Sequence, residues 1–170
     1  MKKLALLILL MMIFQSSVFS RPVVFNDDGK FGLKDENGNI VVKAEYKKLI
    51  RLGESGWIIQ KGSKFGIMND EGKILVEPKY NRADRVLGKF AKLTKGEKNG
   101  LFDEKGFVIL PPEYSSIDLL FGGMFLTCKN YKYGVTDFNG QPILDNIFDD
   151  IYMPKPNVMI ITYLSLIHIS

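Results

Sequence analysis

The chain has 170 residues, 46% hydrophobic and 25% charged, with one Cys and one His. That is enough apolar material for a core and too balanced a charge for wholesale disorder; a single Cys excludes an internal disulfide, and one Cys with one His cannot build a Cys/His zinc site. The formal charge of +4 falls to +2 without Lys2 and Lys3, with 21 positive side chains against 19 negative, too small an excess to mark a nucleic-acid-binding domain.

Lys2 and Lys3 precede an unbroken apolar run from Leu4 to Phe14, and Gln15 to Ser20 forms a small-residue exit with Val18 and Ser20 at the positions a signal peptidase reads. Residues 1–20 are therefore expected to be a signal peptide cleaved before Arg21. The run is short beside the ~20 residues of a membrane span, so no span is expected in the mature chain. The expected location is secreted or periplasmic, with the lone Cys128 buried and inert.

From residue 21 a period of 34 residues governs the chain. Gly32, Gly66, Gly100 and Gly134 recur at that spacing, and so do Gly38, Gly72, Gly106 and Gly140. Lys30, Lys64, Lys98 and Lys132 share it, as do Tyr46, Tyr80, Tyr114 and Phe148. Self-similarity of this kind marks a repeat architecture. Each copy supplies three short runs of strand composition, for example Trp57-Ile58-Ile59, Phe65-Gly66-Ile67 and Ile74-Leu75-Val76. These runs are too short for helices, and no helical stripe joins them. Between the second and third run stands Asp or Asn, then Gly: Asp35 to Gly38, Asn69 to Gly72, Asp103 to Gly106, Asp137 to Gly140. The side chain can accept a backbone N–H and the Gly can take positive φ, which predicts a tight hairpin. The Gly inside the second strand predicts close packing, with the in-phase Tyr or Phe as the expected partner. Pro78 and Pro111-Pro112 are expected to end the third strand, and Pro142 to delay it in copy four or to leave an unpaired edge there.

The succession Lys, aromatic, Gly, aliphatic, Asp or Asn, turn Gly, aliphatic strand, Pro, then Tyr with an apolar residue three on resembles the WG-repeat family. Lys64-Phe65-Gly66-Ile67, Asn69, Gly72, Ile74-Leu75-Val76, Pro78 and Tyr80 to Ala83 carry the likeness best. Phe31, Phe65 and Tyr133 stand where the family has Trp; Asn99 does not fit, so copy three is expected to be the loosest. The resemblance spans roughly Val23 to Tyr163 and implies a β-rich tandem array, without implying a chemistry.

Residues 21–163 thus read as four copies and the start of a fifth, Val158 to Tyr163 matching the first strand of copy four. Leu164 to Ser170 resembles the translation of a transposon end used as a sequencing adapter. Leu166 and His168 occupy places where the period requires Lys and Gly. Residues 164–170 are accordingly expected to be non-native.

Chemistry-bearing residues are few. Asp149-Asp150, or Asp145 with Asp149, are the available paired carboxylates, although neighbours on a strand point to opposite faces; otherwise they form a solvated turn. Asp35, Asp103 and Asp137 supply too few oxygens each for calcium and read as turn residues. Gly122-Gly123 lacks the rest of a phosphate loop. No cofactor and no metal site is expected. A binding surface could use Trp57 with Lys64, Lys98 and Lys132. Against that, the Tyr series reads as core with rim hydroxyls, the Lys series as a solvated device blocking strand addition at an edge, and Trp57 as core or surface equally.

The expected fold is all-β, a tandem array of three-stranded antiparallel meanders, either an open solenoid or propeller-like. The expected function is an exported, non-catalytic module binding a protein or a cell-envelope polymer such as a glycan. The alternative is a small hydrolase of such a polymer using Asp145, Asp149 or Asp150.

Overall fold

The computed structural model describes residues 21–156 and 158–164. The expected leader and the adapter-like run from residue 165 onward lie outside the described residues. Among those described there is no helix, and seventeen strands follow in chain order. The first sheet holds β1 (Val23–Asp27), β2 (Lys30–Lys34) and β3 (Ile40–Tyr46). The second holds β4 (Lys48–Leu52), β5 (Gly56–Lys61), β6 (Lys64–Asn69) and β7 (Ile74–Tyr80). The third holds β8 (Arg82–Val86), β9 (Phe90–Lys95), β10 (Lys98–Asp103) and β11 (Val108–Tyr114). The fourth holds β12 (Ser116–Leu120), β13 (Met124–Lys129), β14 (Lys132–Asp137) and β15 (Pro142–Phe148). A two-stranded fifth sheet, β16 (Asp150–Lys155) and β17 (Val158–Thr162), completes the described chain.

Every sheet is an antiparallel meander in sequence order, so the protein is an all-β tandem array. The complete sheets carry four strands. The additional strand, β4 in the second sheet, begins beside the apolar residue three positions after each Tyr: Leu49, Ala83, Ile117 and Ile151. In the same way β17 pairs with β16, from Asp150↔Thr162 to Lys155↔Val158.

Turn chemistry explains the hairpins between the last two strands of each of the first four sheets. The Asp35 carboxylate accepts the N–H groups of Asn37 (2.9 Å) and Asn39 (2.8 Å), and the Asn39 side-chain amide donates to it as well (2.9 Å). That last bond, ahead of the others, holds the Asp35 carboxyl below its ordinary pKa. Asp103 and Asp137 repeat the pattern, Asn69 accepts from Lys73 N, and Gly38, Gly72, Gly106 and Gly140 follow at φ 80–84°.

The strand-interior Gly has a different partner from the one expected. Between Leu33↔Val42 and Phe31↔Tyr46 the register advances two residues on β2 and four on β3, and the same bulge recurs in the next three sheets. The bulged backbone leans over the Gly: a Cβ at Gly134 would lie 2.7 Å from Leu144 O, and one at Gly100 2.9 Å from Pro112 N. The Tyr ring is therefore not what demands Gly; the neighbouring backbone is. The bulge also corrects the reading of the prolines. Pro78 and Pro111-Pro112 lie within β7 and β11, which run on to Tyr80 and Tyr114. They occupy the stretch that has left the ladder, where a missing N–H costs no bond. Pro142 is the first residue of β15, which starts in phase with β7 and β11 rather than late.

The core lies between sheets. Trp57 and Ile59 of β5 pack with Leu33, Val42 and Tyr46 of the first sheet, whereas Ile58 packs with Ala91, Leu93 and Phe102 of the third. Phe90, Leu101 and Leu110 then join Ile117 and Phe125 of the fourth. An inner strand is thus buried on both faces, its alternate side chains serving opposite neighbours. Each fully buried Ile or Leu contributes about 1.5–3 kcal/mol. Copy three is held by polar means: Asn99 donates to Tyr114 O (3.3 Å) and Ser115 O (2.9 Å) and accepts from the Thr94 hydroxyl (2.8 Å), replacing the aromatic pair Phe65↔Tyr80 of copy two.

Candidate functional site

Each sheet has two unlike ends. At one, which we call the tip end, the two inner strands meet in a two-residue hairpin, and the registers Asp27↔Lys30, Lys61↔Lys64, Lys95↔Lys98 and Lys129↔Lys132 put a Lys beside every tip. The long bulged strand ends there too, in Tyr46, Tyr80, Tyr114 or Phe148. At the other, the turn end, stand the Asp and Asn turns and the loops after β4, β8 and β12.

At the turn end the Asp and Asn turn residues and Asp70 are engaged by the protein itself, while Glu36, Glu71, Lys73 and Lys105 stay exposed. Besides the turn residues, Asp70 is 6% exposed and accepts from the Trp57 indole N–H (2.7 Å) and from both terminal nitrogens of Arg51, whose guanidinium lies 4.8 Å from the Trp57 ring centroid. Trp57 is itself 5% exposed. The structure thus makes it a core residue with its polar edge satisfied, which removes it from the binding surface. The Arg51–Trp57–Asp70 group was not foreseen; the unrepeated Trp57 was the only sequence signal for it. Glu104 likewise reaches across to accept the Glu54 N–H of the preceding sheet.

At the tip end lysines stand above the aromatic residues that close the bulged strands. Lys30 and Lys98 are exposed, and Lys64 and Lys132 are half-buried. These lysines begin β2, β6, β10 and β14, which are inner strands. They guard no sheet edge, contrary to the expectation of an edge device. Tyr46 and Tyr80 are buried beneath them, and burial, with the Glu45 charge adding to it, pushes the Tyr46 hydroxyl up to about 12. Burial raises Tyr80 as well. Tyr114 and Phe148 are half-buried.

One tip departs from the others. Where the earlier tips have Gly29, Ser63 and Glu97, the fourth has Tyr131, 94% exposed and at φ 61°, preceded by Asn130 at φ 52°. A bulky side chain in the left-handed region is strained, and this one gains no packing in return. Sequence reasoning passed over it, although an aromatic in a Gly-rich turn position was the available signal.

Of the carboxylates considered as an acid and base, Asp149 is engaged in internal bonds. Asp149 accepts the Lys132 ammonium (2.6 Å) and the Leu164 N–H (2.8 Å), and the Lys132 bond, ahead of the other, lowers its pKa. A general acid requires the opposite shift. Asp145 lies on β15 and Asp150 opens β16, both exposed. Among the described residues, no three His, Cys, Asp or Glu side chains come together as a metal-binding group, and no helix is long and apolar enough to cross a membrane.

The family model described as "WG containing repeat" matches residues 31–60, 65–98 and 100–133, more than half of the chain. The third match begins at Gly100 and so leaves out Asn99, the residue that departs from the pattern. The chain belongs to this family. No curated protein and no solved structure matches it.

Proposed function

We propose that this WG-repeat chain is an exported, non-catalytic module that binds a protein or a cell-envelope polymer through the tip end of its array. The observation that carries the reading is the contrast between the two ends. The turn aspartates, Asp70 and the Trp57 indole at the turn end are tied up in internal bonds, whereas the tip end offers Lys64 and Lys98 outside any ion pair among the described residues and the strained, solvent-facing Tyr131. Stacked repeats present extended surfaces of this kind, and exposed aromatics and long cations supply binding energy out of proportion to their area. Export rests on the leader-like segment at residues 1–20. The hydrolase alternative has less support, because the Asp149 carboxylate is held ionised by Lys132.

Incubation with isolated cell-envelope material tests the reading. Retention without released products, weakened by Tyr131→Ala, is the expected result. Release of products that stops in an Asp149→Asn, Asp150→Asn variant would establish the hydrolase instead, and absence of retention would remove both.

A further inference from the structure

One seam between sheets lacks the ion pair that its neighbours have. Where the first sheet meets the second, Lys61 pairs with Glu45 at 3.1 Å, and where the third meets the fourth, Lys129 pairs with Glu113. The positions 34 residues on from Glu45 and Lys61 are Lys79 and Lys95. Strand β7 packs on β9 just as β3 packs on β5 and β11 on β13, so the period sets two exposed lysines against each other at the seam of the second and third sheets. The aromatic contacts confirm the departure. The ammonium groups of Lys61 and Lys129 lie 5.8 and 5.9 Å from the ring centroids of Tyr46 and Tyr114, but at Tyr80 that place is taken by Lys79, at 5.8 Å, and not by Lys95.

A second series shows the same excess. Asp149 neutralises Lys132, whereas the residues in phase with Asp149 are Ser115 for Lys98 and Asn81 for Lys64. Among the described residues, none of Lys64, Lys79, Lys95 and Lys98 has an ion-pair partner. Like charges set opposite each other disfavour the fold, and this chain holds the neutral solution, a Glu at 45 and 113, on either side.

We propose that this seam is the docking site for a linear polyanion, a polymer bearing carboxylate or phosphate groups at intervals along its chain. The proposal rests on the binding reading above and narrows it from any partner to an anionic one. Lys64, Lys95 and Lys98 on two neighbouring tips and Lys79 on the strand end between them form an extended strip of net positive charge, with Glu97 the carboxylate on the third tip, which suits an anion that continues across the seam. Bound anions relieve the repulsion between Lys79 and Lys95, and release of the polymer's counterions makes the binding fall with salt.

The decisive variant is Lys79→Glu. It recreates at this seam the Glu–Lys pair already present at the two beside it, so the urea midpoint is expected to hold or rise while the strip loses its charge. Lys105→Glu makes the same change of net charge at the turn end. The full chain would be tested against polygalacturonate, inorganic polyphosphate, neutral dextran and duplex DNA. The expected result is binding to polygalacturonate or to polyphosphate, which distinguishes carboxylate from phosphate recognition, with none to dextran. Affinity should fall by about tenfold or more at low salt in Lys79→Glu and remain within about twofold in Lys105→Glu. Binding to neither polyanion, equal losses in the two variants, or binding to duplex DNA alone would overturn the proposal. If the chain is nevertheless retained by envelope material, the broader binding reading survives; if it is not retained, that reading has failed first.

Discussion

The turn end and the tip end of each sheet are built from similar charged residues and use them in opposite ways. At the turn end Asp35, Asp103 and Asp137 each accept two backbone N–H groups on one carboxylate oxygen, and Asp70 accepts from Arg51 and Trp57. At the tip end Lys64 and Lys98 begin their strands with no carboxylate partner, while Tyr131 is held at positive φ in water. The lesson is that a charged residue's role follows from what its atoms already bond to. Position in the repeat alone does not decide it, since Lys132 is in phase with Lys98 and is nonetheless paired.

The largest effect that would break the comparison concerns Asp70. Removing its carboxylate in Asp70→Ala strands the Trp57 indole N–H and the Arg51 guanidinium in a largely buried setting, and should cost about 3 kcal/mol in urea unfolding. Lys64→Ala and Lys98→Ala should each stay within about 0.5 kcal/mol of the parent. A costly lysine variant or a harmless Asp70→Ala would erase the distinction between the ends. Next in size, Asp103→Ala deletes the acceptor for Lys105 N and Phe107 N and should cost about 1 kcal/mol.

A smaller effect runs the other way. Tyr131→Gly relieves a left-handed conformation and should raise stability by about 0.5–1 kcal/mol, while weakening retention on envelope material. A gain in stability with retention unchanged would mark Tyr131 as a bystander. The smallest effect is a pH dependence. Asp149 has a lowered pKa in the folded chain, so its pairing contributes stability above the ordinary carboxylate value near ~4 and loses it as the pH falls through the folded value. The difference in melting temperature between the parent and Asp149→Asn should accordingly be present at neutral pH and shrink on acidification below about pH 4.

Much of the fold was legible because the period brings the same chemistry back each time. The Gly at positions 38, 72, 106 and 140 and the acceptor three residues before it specify a hairpin through local bonds alone. The first strand of each complete sheet was harder to see. Lys48–Leu52, Arg82–Val86 and Ser116–Leu120 share little beyond two apolar positions, Leu49, Ala83 and Ile117 in one and Leu52, Val86 and Leu120 in the other, and each is an edge strand. The bulge was hidden for a different reason. A Gly and a Pro about 12 residues apart read separately as a close approach and a strand end, and only their pairing across β6 and β7 shows that one backbone departure explains both. Of the candidate site, the lysine series was visible and Trp57 misleading. Its burial depends on Arg51 and Asp70, which the period does not repeat as a group. The Lys79–Lys95 opposition is encoded in the same register, yet it means nothing until Glu45–Lys61 and Glu113–Lys129 are seen to be ion pairs.

If the tip end, and not the turn end, meets a partner, charge reversal at the two ends must differ in effect. The most direct test is retention on isolated envelope material of two double variants with the same change of net charge: Lys64→Glu with Lys98→Glu at the tip end, and Lys73→Glu with Lys105→Glu at the turn end. The first is expected to lose retention while the second binds as the parent does, both remaining folded. Equal retention of the two, or loss confined to the turn-end variant, would contradict that expectation.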